Sequence, residues 1–394
     1  MIIKNSIGRK IFLNKKIKKN LFKTFKNEII LNKNKNIFKY YNKEYTYLLK
    51  KYNLNNYKRF KKVVLIGMGG SILGSKSIYN FLHRKIKKEF FFFDNLDNKK
   101  LSDFLRQKKL EKFLFIIISK SGDTLETLSM TNLLKRCLSK KNTIIITENK
   151  NNNLSDFAKR NNFLRINHDK TIGGRYSVFS EVGMVPAYFM GLNLNNFRKK
   201  IYKHISLRPS NPLKKYFPII NGIYFKKKIK SLIFLNYCPE LNQFLFWCQQ
   251  LLAESLGKKG YGILPVVSPA PRDHHSLLQL YLDGPKDKIF YIFSSKNRKE
   301  NVLKNNLFKK EFDFLKGKSL SHIINSQKEA MIRVLKNKDL PFREFQINEF
   351  DEESLGELFS YFILETWMIG KSLEINPFNQ REVEEVKILT KKLI

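Results

Sequence analysis

From residue 61 onward, short and nearly unbroken apolar runs alternate with stretches in which apolar positions recur every three or four residues. "KKVVLIGMGG" (61–70) reads as a strand entering a glycine-rich turn, and "SILGSKSIYNFLHRK" as the helix after it. "EFFFFDN", "FLFIIISKSGD" and "NTIIITEN" read as further strands, with "KKLSDFLRQKK" and "TLETLSMTNLLKRCLSKK" as the helices between them. Runs this short, rich in Ile, Val and Phe and apolar at every position, fit strands covered on both faces. Their alternation with helical periodicity predicts a parallel sheet with helices on both sides.

A second series repeats the theme. "KSLIFLNYC", "KIFYIFSS" and "PFREFQIN" are strand-like, "ELNQFLFWCQQLLAESLGKK" and "ESLGELFSYFILETWMIGKSL" are helical, and "NQREVEEVKILTKKL" closes the chain as a charged helix. Between the two series, "LRPSNPLKKYFP" carries three prolines and is the best candidate linker. The expected organisation is a basic N-terminal arm over residues 1–45, a first α/β unit over 46–206 and a second over 207–394. The expected fold class is α/β, two doubly wound parallel-sheet (αβα) units with a C-terminal helix.

A length of 394 residues suits about two domains. Hydrophobic residues make up 42% of the chain, 34 of them Phe, which argues for a packed core. No apolar run approaches the roughly 18 residues of a membrane helix. The lysine-studded start lacks the layout of a signal peptide. Three widely spaced cysteines (Cys137, Cys238, Cys248) fit a reducing cytoplasm and give neither a disulfide framework nor a zinc motif. The formal charge of +41 raises the question of a nucleic-acid partner. Because Lys, Asn, Ile and Phe dominate everywhere, the excess reads as compositional drift, and what remains of it is attraction for small anions.

Two turns carry candidate chemistry. "IGMGGSILGS" fails as a dinucleotide fingerprint, because Ile72 stands where the third glycine belongs, although Asp94 follows at a suitable interval. It also fails as a nucleotide P-loop, because Ser75 occupies the lysine position. It remains a strand–turn–helix with Ser71 at the turn, a generic anion site. "SKSGDTLET" (119–127) repeats the arrangement one strand later. Helix capping would explain one hydroxyl. Three hydroxyls together with Lys120 favour a phosphate cradle.

Together the two turns resemble the sugar isomerase (SIS) domain superfamily. "GGRYSVFSEVG" (173–183), "ESLGK" (254–258), "DHHSLLQ" (273–279) and "NQREVEEVK" (379–387) resemble, in order, the signature segments of the glucose-6-phosphate isomerase family. The resemblance runs from about residue 63 to 387.

It implies SIS-type units, a sugar phosphate substrate, no cofactor or metal, and a cytoplasmic homodimer with a shared active site. Gly70, Ser71, Ser119, Lys120, Ser121 and Thr124 would hold the phosphate, with Gln250 and Gln380 as further substrate ligands. Glu254 would shuttle a proton between C2 and C1, and "LLAES" around it suggests an apolar setting. Arg175 would face the enediolate. His275, supplied by the partner subunit, would open the sugar ring, with His274 a competitor for that role. Lys387 would be the active-site lysine. Glu382 stands where the family has glycine, and is expected to face solvent. A dual phosphoglucose/phosphomannose isomerase is an alternative. A sugar-phosphate-sensing regulator is disfavoured by the full catalytic set and by the lack of a helix-turn-helix in residues 1–45.

Overall fold

The computed structural model describes residues 1–7, 21–296, 301–380 and 382–394. Ten strands are described: β1 (Ile2–Ser6), β2 (Lys62–Ile66), β3 (Glu89–Phe93), β4 (Phe113–Ile118), β5 (Thr143–Thr147), β6 (Leu164–Asn167), β7 (Ser231–Asn236), β8 (Leu264–Pro269), β9 (Lys288–Ser295) and β10 (Phe342–Ile347). They form two five-stranded sheets, ordered β3-β2-β4-β5-β6 and β8-β7-β9-β10-β1. Every pairing is parallel except that of β1 with β10. β4, all six of whose residues are buried, and β5 sit inside the first sheet because neither of their faces needs water.

The two sheets share one plan. The chain steps from β2 outward to β3, then returns to the other side of β2 for β4; β7, β8 and β9 do the same. Such a reversal opens a crevice at the carboxyl ends of the two strands that flank it, the usual ligand position in open α/β sheets. In the first sheet those ends are the two motif turns.

The helix Asn242–Leu256 packs against Leu73–Leu82 and Glu352–Ser372. Glu352–Ser372 is buried from Glu352 to Gly370, apart from Glu353, and its Phe359 meets Trp247 edge-on at 4.8 Å. Ile116 and Ile118 of the first sheet belong to the same apolar cluster as Phe234 and Phe293 of the second.

The N-terminal segment wraps the body. β1 adds an antiparallel edge to the second sheet, Phe25 packs on Trp367 and Phe217, and buried Arg198 donates to the carbonyls of Tyr40 (2.8 Å) and Tyr45 (2.6 Å). Residues 8–20 of the expected arm lie outside the described residues. Much of the proline-rich segment expected as a linker is helical. Pro212 opens the helix Pro212–Lys226, capped by Asn211 accepting from the Leu213 N–H at 3.0 Å. Proline suits a first helical position, where its missing N–H costs nothing.

Candidate active site

β2 ends at Ile66, and the chain turns through Gly69, whose φ of +51° lies in the left-handed region that favours glycine. The short turn Gly69–Ser71 then feeds the helix Leu73–Leu82, with Ser71 buried. Gly70 lies flat against a second turn: a Cβ there would sit 2.1 Å from the Gly174 carbonyl carbon and 2.3 Å from the Arg175 nitrogen. "GMGGS" and "GGRYS" are thus interlocked through backbone, and the lock sets where Arg175 begins.

The other motif turn follows β4. Buried Ser119 bonds Thr124 Oγ1 at 2.9 Å, lies 3.5 Å from Ser121 Oγ, and accepts from the Gly122 N–H at 3.2 Å. Ser121 Oγ accepts from the Asp123 N–H at 3.2 Å. Thr124 occupies the N-cap of the helix Leu125–Leu133 yet makes no capping bond. The equivalent helix after β9, Leu320–Asn337, is capped by Ser319, which accepts from the His322 N–H at 3.2 Å. Helix capping therefore does not explain the Thr124 hydroxyl. The hydroxyls bond one another instead, and the first turn of Leu125–Leu133 keeps its positive end for an anion. Lys120 leans outward, donating to the Lys170 carbonyl at 2.9 Å with Glu148 at 3.5 Å.

Arg175 is 2% exposed and is the hub of the site. Its Nε donates to Ser255 Oγ (2.8 Å), Nη1 to Glu254 (3.0 Å) and Gln380 Oε1 (2.6 Å), and Nη2 to the carbonyls of Pro377 (2.7 Å) and Asn379 (2.9 Å). A guanidinium has five N–H donors, and all five are used. Its plane is fixed, so its charge is aimed before any reaction. Tyr176 OH bonds Ser255 Oγ at 2.8 Å and supports the Nε side.

Glu254 and Gln250 lie one turn apart on Asn242–Leu256, so both point the same way. Gln250 Nε2 donates to Glu254 Oε1 at 2.9 Å, while Gln250 Oε1 is buried with no partner among the described residues. The apolar setting expected for Glu254 is absent. Its carboxylate is half-buried between the Arg175 guanidinium and the Gln250 amide. Gln250 lies against Gly69, and a cleft of about 510 Å³ takes Gln250, Glu254, Leu73 and the Lys76–Asp94 ion pair into its walls.

The remaining predicted residues divide between the hub and the surface. Gln380 joins the hub through Arg175, but His275 is exposed and Lys387 pairs with Glu384 at 2.7 Å on the exposed helix Val383–Leu393. His274 bonds Tyr237 OH at 2.6 Å, and its pKa is lowered by burial and by neighbouring His275. Glu382 is exposed, as expected, and Arg381 of the same motif lies outside the described residues. The sequence did not single out Ser255, Tyr176 or Lys258. Each sits inside a quoted motif, but a motif does not say which member touches which.

The family model described as phosphoglucose isomerase matches residues 43–394. A glucose-6-phosphate isomerase of Methanocaldococcus jannaschii is 32% identical over 87% of this chain and 87% of its own. A glucose-6-phosphate isomerase of Campylobacter jejuni is 30% identical over 85% of each chain. Among solved structures, a hypothetical protein from Thermus thermophilus superposes with a TM-score of 0.79, at 25% identity and 94% coverage of both chains. A glucose-6-phosphate isomerase from Chlamydia trachomatis, 21% identical, shares the fold with a TM-score of 0.71 over 87% of this chain and 73% of its own. With the family match taking in every strand but β1 and every motif of the site, the chain belongs to the phosphoglucose isomerase family.

Proposed function

We propose that this aldose–ketose isomerase interconverts glucose 6-phosphate and fructose 6-phosphate through an enediolate. The observation that carries the reading is the hub itself: a carboxylate and a fixed guanidinium 3.0 Å apart, with the carboxylate on a cleft that also takes in Leu73, at the start of the helix after the glycine-rich turn. Moving a carbonyl between C1 and C2 needs one base that works on adjacent carbons and one cation where negative charge appears on oxygen. Glu254 takes the C2 proton and returns it to C1. The Nη1 edge of Arg175, flanked by Glu254 and Gln380, faces the developing oxyanion.

Gly70, Ser71, Ser119, Ser121 and Thr124, with the first turns of Leu73–Leu82 and Leu125–Leu133, hold the phosphate. Lys120 contributes long-range charge or swings in from its perch on Lys170. Gln250, with its buried free oxygen, bonds a sugar hydroxyl.

Two functional groups of the proposal lie away from the hub in one chain, which supports a homodimer. Exposed His275 would serve the neighbouring subunit's site as its ring-opening acid and base. Lys387 would join from a helix whose Val386, Ile388, Leu389 and Leu393 are exposed apolar side chains that a second chain could cover. Among the described residues no helix is long and apolar enough to cross a membrane. The free thiols Cys137, Cys238 and Cys248 support a cytoplasmic setting.

The test is conversion of fructose 6-phosphate to glucose 6-phosphate, coupled to oxidation of the product, with mannose 6-phosphate run beside it. Turnover of fructose 6-phosphate alone is expected. Folded, dimeric protein without turnover would refute the proposal.

A further inference from the structure

Lys258 closes the "ESLGK" motif one turn beyond Glu254, just past the helix end at Leu256. Its Nζ donates to the carbonyls of Asn376 (2.6 Å) and Asn379 (2.7 Å). Arg175 Nη2 binds the same segment, at the carbonyls of Pro377 and Asn379. Residues 376–379 therefore offer three carbonyls to two cations, and the Asn379 carbonyl is shared by both. The next residue is Gln380, held at 2.6 Å on the Nη1 edge of Arg175. Phe378, packed on Tyr176 with ring centroids 5.0 Å apart, is the segment's apolar anchor.

We propose that Lys258 is a positioning residue, an ammonium latch that holds residues 376–380 so that Gln380 and the Nη1 edge of Arg175 face the reacting carbons. The proposal rests on the isomerase reading given above. Charge-assisted bonds to carbonyls are about twice as strong as neutral ones, so the latch depends on the proton that Lys258 carries. Burial, and next the charge of Arg175, pull its pKa down from the ordinary lysine value to about 8, with Glu254 acting in the opposite direction. Among the described residues no other charged side chain bears on it: residues 376–379 present carbonyls, and neighbouring Lys259 turns to the Glu374 carbonyl at 3.4 Å. As pH rises through about 8, Lys258 becomes neutral and the latch slackens while the fold remains, so kcat falls on the alkaline side.

The experiment measures kcat and KM for fructose 6-phosphate against pH for wild type, Lys258→Gln and Lys258→Arg, with thermal melting of each. Lys258→Gln is expected to lower kcat about tenfold to a hundredfold at neutral pH, the scale of a slightly misplaced catalytic group, and to lose the alkaline limb. Lys258→Arg, charged throughout the range, is expected to recover most of kcat and carry the limb above about pH 9. A Lys258→Gln variant with wild-type kcat and an unchanged alkaline limb would overturn the latch. So would a Lys258→Arg limb that stays near pH 8, and this arm decides the matter alone if Lys258→Gln does not fold. Wild-type protein inactive on fructose 6-phosphate would instead overturn the isomerase reading, a separate outcome.

Discussion

Replacing Gly70 by alanine adds one methyl at the point where "GMGGS" and "GGRYS" touch. That methyl would lie 2.1 Å from the Gly174 carbonyl carbon and 2.3 Å from the Arg175 nitrogen. Carbon atoms rest about 3.5 to 4.0 Å apart, so the turns must part by roughly 1.5 Å. Both obstacles are backbone, and neither can rotate away. Overpacking of this kind costs about 1–3 kcal/mol of stability. The larger effect falls on catalysis, because the displaced atom is the main chain of Arg175. A shift of about 1 Å in a positioning group costs on the order of a hundredfold in rate. Gly173→Ala is the control: its Cβ would meet nothing nearer than the Phe378 carbonyl oxygen at 3.7 Å. The coupled assay should show kcat/KM down about a hundredfold for G70A and by less than about threefold for G173A. Wild-type kcat/KM and melting temperature for G70A would refute the claim that this contact positions Arg175.

That contact is invisible in the sequence, where residues 70 and 175 share no pattern. What was legible is local. β2, β3, β4 and β5 announce themselves because their runs are apolar at nearly every position, and Asn242–Leu256 because its period is unmistakable. β1 was missed because "IIKNS" gains its meaning only from its partner strand β10, far along the chain. β8 was missed because "LPVVSP" carries two prolines, tolerated there beside a single neighbour, β7, at the edge of the sheet. The helix Pro212–Lys226 hid behind prolines that read as breakers, one of which occupies the position that suits it. In the site, the family resemblance pointed to Arg175, Glu254, Gln250 and Gln380, and these converge. Motifs could not reveal that Thr124 leaves its helix uncapped, or that Lys258 grips the segment before Gln380.

Further outcomes follow from single contacts. Thr124→Ala should raise KM for the sugar phosphate about tenfold and lower the melting temperature only slightly, because this hydroxyl caps nothing and its partner Ser119 keeps the Gly122 N–H and Ser121. Ser319→Ala, at the capped equivalent, should do the reverse: about 1 kcal/mol of stability lost in urea unfolding, KM untouched. Glu365→Gln should cost about 3–5 kcal/mol in the same unfolding measurement, since it leaves the fully buried Arg343, now bonded at 2.9 Å, without its counter-charge.

The central claim is that Glu254 moves a proton between adjacent carbons of a sugar phosphate. Nuclear magnetic resonance in deuterated water follows this directly, with fructose 6-phosphate as substrate and wild type beside Glu254→Gln. Wild type should yield glucose 6-phosphate with deuterium at C2 in the fraction whose Glu254 proton exchanges with solvent before it is returned, and Glu254→Gln should slow product formation about a hundredfold to ten-thousandfold while still binding the sugar phosphate. Glucose 6-phosphate formed by Glu254→Gln at close to the wild-type rate would contradict the account.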